Sequence, residues 1–210
     1  MPEIKENLKC LTLKNGKTYT LKNDPNRFFY PTEYMKTYDL LKSKQKHTIT
    51  CLINTGARIN EIRNVKVEDI DFINRRMVLR VTKTKAKKHE HRGRIRTIPL
   101  STSFVKYLKK YCKDKNSTDY LDILSTPAFN IGLKKATTAA KLNNPRDFSA
   151  HTLRKTLETW LMALDVDSMK LIAHIGHDIR TAAQHYVSPD IFSFKEKGMM
   201  REIIGDLYLR

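Results

Sequence analysis

Apolar residues recur at helical spacing over most of the chain beyond residue 30, which predicts a largely α-helical fold. The first predicted helix starts at Pro31 with Thr32 as its N-cap and carries Tyr34 and Tyr38 on one side. The next is a buried helix over residues 48–54 that ends near Gly56. Further helices are predicted over residues 61–65, 101–112, 127–142, 151–164, 168–175, 179–186 and 194–207.

Two segments, residues 77–82 and 95–100, alternate as β-strands do. The strongly basic segment 83–94 lies between them, so the pattern predicts a β-hairpin with a long cationic tip. A weaker alternation over residues 8–22, centred on Asn15-Gly16, predicts a second and shorter hairpin. The predicted fold class is therefore mainly α with a small antiparallel β-sheet.

The chain of 210 residues is long enough for one large domain with short extensions. Residues 1–30 are interpreted as an N-terminal extension or linker, and residues 31–190 as the main domain. Residues 191–210 form a tail whose predicted helix carries an apolar patch. That patch either packs on its own domain or docks on a neighbouring protomer.

Basic residues dominate the charge of the chain. Forty Lys and Arg against 22 Asp and Glu give a formal net charge of +18 at pH 7. A charge of that size favours a polyanionic partner such as nucleic acid. The alternative is a basic surface without a nucleic-acid partner.

The three cysteines, Cys10, Cys51 and Cys112, are odd in number and far apart. This usage fits a reducing compartment and favours neither a disulfide framework nor a zinc site. No apolar run approaches the roughly 20 residues that span a bilayer, and the first residues are charged. We therefore expect a cytoplasmic protein, or a nuclear one if its host has a nucleus, without membrane partners.

Four short segments carry residue types suited to phosphoryl transfer: Thr55–Glu61, His151–Arg154, Gly176-His177 and Tyr186. Guanidinium groups clamp phosphate oxygens and stabilise the charge that develops on them. A lysine can protonate a departing oxygen, and a tyrosine can act as a covalent nucleophile. This chemistry would need no metal, cofactor or ATP.

In this order, these segments resemble the catalytic domain of the tyrosine recombinases, the phage-integrase and Xer-like family. The resemblance covers residues 31–190 and implies the fold of that catalytic domain. Residues 55–62 resemble the first arginine box, and residues 81–85 resemble the hairpin segment with the catalytic lysine. His151–Arg154 has the H-x-L-R form of the H-x-x-R box, and Tyr186 follows Gly176-His177 at the usual distance.

The resemblance implies a role for each box. Two arginines would bind the scissile phosphate with help from two histidines. The lysine would protonate the leaving oxygen, and the tyrosine would form a 3′-phosphotyrosyl link. Glu61 would buttress the site rather than contact DNA. The implied catalytic set is Arg58, Lys83, His151, Arg154, His177 and Tyr186.

Three of these assignments have neighbours that could compete. Lys85 is the alternative general acid to Lys83, and Tyr208 is the alternative nucleophile to Tyr186. His174 is interpreted as a structural residue. The basic residues around the hairpin tip are interpreted as contacts to the DNA backbone: Lys85, Lys87, Lys88, Arg92, Arg94 and Arg96.

The chain also departs from the family pattern. Ala182 and Ala183 stand where many relatives have threonines, and Val187-Ser188 follows the tyrosine. Relatives usually carry an N-terminal DNA-clamping domain of about 100 residues, whereas about 30 residues precede the predicted domain here. We therefore expect weak and strongly salt-dependent DNA binding from this chain.

The expected function is site-specific DNA recombination or integration by a homo-tetramer on two double-stranded DNA sites. One alternative is a type IB topoisomerase, which shares the chemistry but acts as a monomer on one duplex. The other is a DNA-binding protein that keeps the fold without the activity.

Overall fold

The computed structural model describes residues 10–12, 18–20, 27–80, 95–176 and 191–209, with the backbone alone for the first two segments. Strands β1 (Cys10–Thr12) and β2 (Thr18–Thr20) pair antiparallel, with Leu11 opposite Tyr19. The two strands of the predicted N-terminal hairpin are therefore confirmed. Its turn lies outside the described residues.

Helices make up most of the described chain. They are α1 (Pro31–Asp39), α2 (Ser43–Thr55), α3 (Ile59–Arg63), α4 (Thr102–Tyr111), α5 (Thr126–Ala139), α6 (Ala150–Ala163), α7 (Ser168–Ile175) and α8 (Phe194–Ile204). Short 3₁₀ turns cover Val67–Asp69 and Pro145–Asp147. The predicted helix over 179–186 lies outside the described residues.

A second, three-stranded sheet has the order β3-β4-β5 and is antiparallel throughout. Its strands are β3 (Ile70–Asp71), β4 (Arg76–Arg80) and β5 (Ile95–Pro99). Met77 lies opposite Ile98, and Leu79 opposite Arg96. The mainly α fold with a small antiparallel sheet is thus confirmed, while the cationic hairpin tip lies outside the described residues.

The core is built around α2 and α6, which pack against each other. Trp160 of α6 is fully buried, and its indole N–H donates to the Phe29 carbonyl at 2.9 Å. The ring of Phe29 packs on Phe148 at a centroid distance of 4.2 Å. Phe28 and Phe29 are both buried, so residues that precede Pro31 contribute to this core.

Several helix starts differ from the predictions. Thr32 is not the N-cap of α1, because Pro31 occupies the first helical position and Tyr30 precedes it in an extended conformation. Proline suits that position since its missing N–H would have no intrahelical partner. Helix α2 begins at Ser43, five residues before the prediction, and α3 begins at Ile59 rather than at residue 61.

The C-terminal segment packs on its own chain. Helix α8 contacts α1 and α6, and Met200, Ile204 and Leu207 are buried. Asp206 accepts hydrogen bonds from the backbone N–H and the hydroxyl of Thr102, at the start of α4. Within a single chain, the apolar side of the tail therefore packs on its own domain, and docking on a neighbouring protomer stays a prediction.

Candidate active site

Gly56 connects the end of α2 to the segment that carries Arg58. It ends α2 in the left-handed region, with φ +57°, and its N–H donates to the Leu52 carbonyl at 2.9 Å. A Cβ atom here would lie 2.8 Å from Cδ1 of Ile175 and 3.0 Å from Cδ2 of Leu157. Glycine is needed both for the backbone conformation and for the close approach of α6 and α7.

Glu61 holds two arginines at the start of α3. Its side chain is completely buried, and one carboxylate oxygen accepts from Nη1 of Arg58 at 2.8 Å. The other oxygen accepts from the backbone N–H of Arg58 at 3.0 Å and from Nη2 of Arg96 at 2.9 Å. Burial opposes ionisation, but Arg96 and Arg58 prevail and hold the pKa of Glu61 below its ordinary value. This geometry suits the buttressing role expected for Glu61.

Arg154 lies on α6 and is only 1% exposed. Its Nη1 donates to the Gly56 carbonyl at 2.8 Å, and its Nη2 donates to the Ile175 carbonyl. These carbonyls stand at the C-terminal ends of α2 and α7, where helix carbonyls lack intrahelical partners and carry partial negative charge. Two helix ends therefore position one buried guanidinium.

Charged side chains of both signs lie near Arg154. Burial, with Arg58 and Arg96 nearby, lowers the pKa of Arg154 to about 9, while Glu61 and Glu158 oppose the shift. At pH 7 the guanidinium is still a cation. Three arginines that share a site in this way form a place for an anion with several oxygens, such as a phosphate.

Arg96 was interpreted from the sequence as a DNA-backbone contact, and the structure places it among these arginines. Its side chain is 12% exposed and contacts Gly176, where a Cβ would lie 2.8 Å from Nη1 of Arg96. The strand pattern contained the signal, because Arg96 lies two residues before the buried Ile98 and so shares its face of β5. We name Arg58, Arg96, Arg154 and Glu61 the arginine cluster.

His151 precedes Arg154 by one helical turn, and it is exposed. Gly176, the residue before His177, ends α7 in the left-handed region with φ +72°. The structure therefore brings together Arg58, Arg96, Arg154, the backbone before His177 and the start of α6. The other predicted site residues lie outside the described residues: Lys83, Lys85, Lys87, Lys88, Arg92, Arg94, His177 and Tyr186.

His174, interpreted as structural, is buried behind the arginine cluster. Its Nε2 lies 3.1 Å from the Thr55 carbonyl and its Nδ1 lies 3.0 Å from the hydroxyl of Tyr208. The hydroxyl of Tyr208, the alternative nucleophile, is therefore hydrogen-bonded to a buried histidine. Burial also raises the pKa of Tyr208 to about 12. Both features disfavour Tyr208 as a nucleophile.

Among the described residues, no helix has the length and apolar character of a membrane span. The His, Cys, Asp and Glu side chains of these residues form no group of three that could hold a metal ion.

Comparison with known proteins gives the family. The model of the phage integrase family matches residues 27–191, which is more than half of the chain. The chain belongs to the phage integrase family. The matched range begins at residue 27, next to the buried Phe28 and Phe29.

Two curated proteins that are similar to this chain are named as recombinases. Tyrosine recombinase XerA of Saccharolobus solfataricus is 29% identical over 153 residues, covering 71% of this chain and 48% of the relative. A probable integrase/recombinase of Acholeplasma phage L2 is 28% identical over 184 residues, covering 76% of this chain and 61% of the relative. The chain thus spans about half to three fifths of the length of these relatives.

A solved structure of the Tn1549 transposon integrase, in complex with transposon right end DNA, shares the fold. It has a TM-score of 0.62 and 19% identity, covering 86% of this chain and 66% of that one. The predicted tyrosine recombinase catalytic-domain fold is therefore confirmed for this member of the phage integrase family.

Proposed function

We propose that this chain is a site-specific DNA recombinase that cleaves and rejoins strands through a covalent bond to Tyr186. The observation that carries the proposal is the arginine cluster, in which Glu61 holds Arg58 and Arg96 beside the buried Arg154. Positive charge fixed in advance at a phosphate site lowers the cost of charge development in the transition state. The +18 net charge of the chain supports DNA as the partner.

In the proposed cleavage step, the Tyr186 oxygen attacks the scissile phosphorus while the bond from phosphorus to the 5′ oxygen breaks. The tyrosine proton passes to a base, for which His151 and His177 are the candidates, and the 5′ oxygen receives a proton from Lys83 or Lys85. The 3′ end of the DNA remains attached to Tyr186. Attack by a 5′ hydroxyl reverses these changes and rejoins the strand, so no external energy source is needed.

Recombination joins two DNA sites, and we propose that four copies of the chain assemble on them. The chain would then exchange one pair of strands at a time. Because the contacts to phosphate are ionic, DNA binding is expected to weaken steeply as the salt concentration rises.

The direct test is covalent trapping in EDTA with nicked duplexes of randomised sequence, from which a cleaved end diffuses away. Wild-type protein should give an SDS-resistant, protease-sensitive adduct at a DNA 3′ end, and Tyr186→Phe should give none. Tyr120→Phe is the matched control, because Tyr120 is exposed and lies on the loop before α5. Sequencing the trapped DNA would identify the site.

The outcomes separate the alternatives. An adduct formed by Tyr186→Phe would reject Tyr186 as the nucleophile. Salt-sensitive binding without any wild-type adduct would favour a DNA-binding protein of the same fold. Relaxation of supercoiled DNA by monomers, without joining of two trapped sites, would favour a type IB topoisomerase. Loss of cleavage in EDTA would reject the metal-free mechanism.

A further inference from the structure

The pair formed by His174 and Tyr208 lies directly behind the arginine cluster. A carbonyl oxygen can only accept a hydrogen bond, so the Nε2 of His174 that faces the Thr55 carbonyl carries the proton. The Nδ1 of the neutral ring then accepts from the Tyr208 hydroxyl. Burial, together with the charges of Arg96 and Arg154, lowers the pKa of His174 to about 4, which keeps the ring neutral at pH 7. Both ring nitrogens are therefore bonded.

His174 touches both backbone segments that bind Arg154. Thr55, which accepts from its Nε2, precedes Gly56, and Ile175 follows His174 in the chain. The carbonyls of Gly56 and Ile175 both accept hydrogen bonds from Arg154. A Cβ on Gly56 would also lie 3.9 Å from Cδ2 of His174, so the ring packs against this turn. Movement of the ring would therefore displace these two acceptors of the Arg154 guanidinium.

Tyr208 reaches His174 from the docked C-terminal segment. Leu207 is 1% exposed, and its carbonyl accepts from Nη1 of Arg201 at 2.9 Å. The backbone of Tyr208 has φ +60°, a left-handed conformation that bulky residues rarely adopt. The packing around Tyr208 must impose this conformation. The residue held in this way carries the hydroxyl that bonds His174.

We propose that Tyr208 and His174 are positioning residues that couple docking of the C-terminal segment to the orientation of the Arg154 guanidinium. The effect on catalysis rests on the proposed function, because it requires Arg154 to bind the scissile phosphate. The effect on Arg154 itself does not, since it is a property of the protein without DNA. Neither residue would contact the DNA.

A second pair of the same kind supplies a matched control. Nδ1 of His47 lies 2.7 Å from the hydroxyl of Tyr107, and its Nε2 lies 2.6 Å from the Leu121 carbonyl. His47 precedes Thr55 by eight residues on α2, which separates them by about 12 Å along the helix axis. Tyr107→Phe therefore removes the same type of hydrogen bond at a distance from the arginine cluster.

The first measurement follows the Nη protons of Arg154 by NMR in the full chain without DNA, assigned with the spectrum of Arg154→Lys. In the wild type, their bonds to Gly56 and Ile175 should slow exchange with solvent. Tyr208→Phe should speed that exchange roughly tenfold, the equivalent of about one neutral hydrogen bond. Tyr107→Phe should leave the exchange of the Arg154 protons unchanged, while lowering the melting temperature about as much as Tyr208→Phe does.

The second measurement is the single-turnover rate of cleavage, at saturating protein, of fresh DNA with the sequence that covalent trapping identifies. Tyr208→Phe should slow cleavage roughly tenfold with unchanged DNA affinity, because a misplaced Arg154 affects the transition state. If Tyr208→Phe does not fold at the assay temperature, His174→Gln takes its place. His174→Gln should likewise cleave more slowly while binding DNA with unchanged affinity.

The results distinguish the two proposals. Unchanged Arg154 exchange in Tyr208→Phe, or an equal effect of Tyr107→Phe, would overturn the positioning role. Faster Arg154 exchange without a covalent adduct from the wild type would establish the positioning of Arg154 and overturn the proposed function alone.

Discussion

Replacement of His174 by glutamine should make the stability of the fold less sensitive to acid. The folded state holds this imidazole at a pKa of about 4, below its ordinary value of 6.5. Below pH 6.5 the unfolded chain therefore binds a proton at this position that the folded chain rejects. The stabilisation is complete above pH 6.5 and is lost progressively as the pH falls toward 4.

The magnitude follows from the two pKa values. Each pH unit between them changes the free energy of unfolding by about 1.36 kcal/mol. Between pH 6.5 and pH 5, His174 alone should therefore cost the wild type about 2 kcal/mol. The arginines around it and Tyr208, with its pKa raised to about 12, do not titrate in that window. His47, whose pKa is also lowered, is common to both proteins and cancels in the comparison.

The assay is urea unfolding at pH 7.5 and pH 5, followed by tryptophan fluorescence. Trp160 is the single tryptophan of the chain and is fully buried, so its emission should shift on unfolding. Glutamine lowers the stability at both pH values but should reduce the difference between them by about 2 kcal/mol. Tyr208→Phe, which loses a hydrogen bond but keeps the buried imidazole, should retain most of the difference. If the wild type and His174→Gln lose the same free energy between these pH values, the imidazole is not held neutral by burial.

Two further substitutions test the support of the arginine cluster. In urea unfolding, Gly56→Ala should lower the free energy of unfolding by about 3 kcal/mol, because the new Cβ would lie 2.8 Å from Ile175 on a left-handed backbone. Gly198→Ala is the control: its new Cβ on α8 would meet open space, so the free energy of unfolding should rise by about 0.5 kcal/mol. Glu61→Gln should cost about 3 kcal/mol and slow DNA cleavage, since two arginines lose a buried counter-charge. Glu68→Gln is the control, because the exposed Glu68 carboxylate pairs with Lys66 at 3.3 Å, and it should change the free energy of unfolding by less than about 0.5 kcal/mol. Equal effects of the two glutamine variants would contradict the buttressing role of Glu61.

Helix ends were predictable where local side chains or glycines set them. Helix α7 has the predicted bounds because Asp167 accepts from the Lys170 N–H at 3.1 Å at its start and Gly176 ends it. Gly56 ends α2 for the same backbone reason. The start of α2 was missed because Ser43 and the residues that follow it are polar, so the apolar period began only near Thr48. Strand β3 has two residues, which is too short for an alternation to show.

Arg58 and Arg154 could be assigned from local sequence because each stands in a recognisable box. Arg96 joins them through a contact to Glu61, 35 residues earlier in the chain, which depends on strand pairing. The bond between Tyr208 and His174 spans 34 residues and depends on how the tail packs. Local periodicity places Arg96 on the inward face of its strand but does not show which residue it contacts, so only the folded chain reveals these partners.

The buried position of Arg154 explains why glycines accompany the charged residues in two of the boxes. Burying a guanidinium is costly unless hydrogen-bond acceptors replace its water. Here the acceptors include the carbonyls of Gly56 and Ile175, which α2 and α7 leave without helical partners at their C-terminal ends.

Both helices must stop abruptly for those carbonyls to face one point, and Gly56 and Gly176 stop them in the left-handed region. Each glycine also admits a neighbour that a Cβ would exclude, Ile175 in the first case and Arg96 in the second. The cluster and the helix ends are therefore mutually dependent: Arg154 satisfies the helix ends, and the helix ends keep Arg154 charged and oriented. A substitution at either glycine should consequently disturb phosphate binding as well as folding.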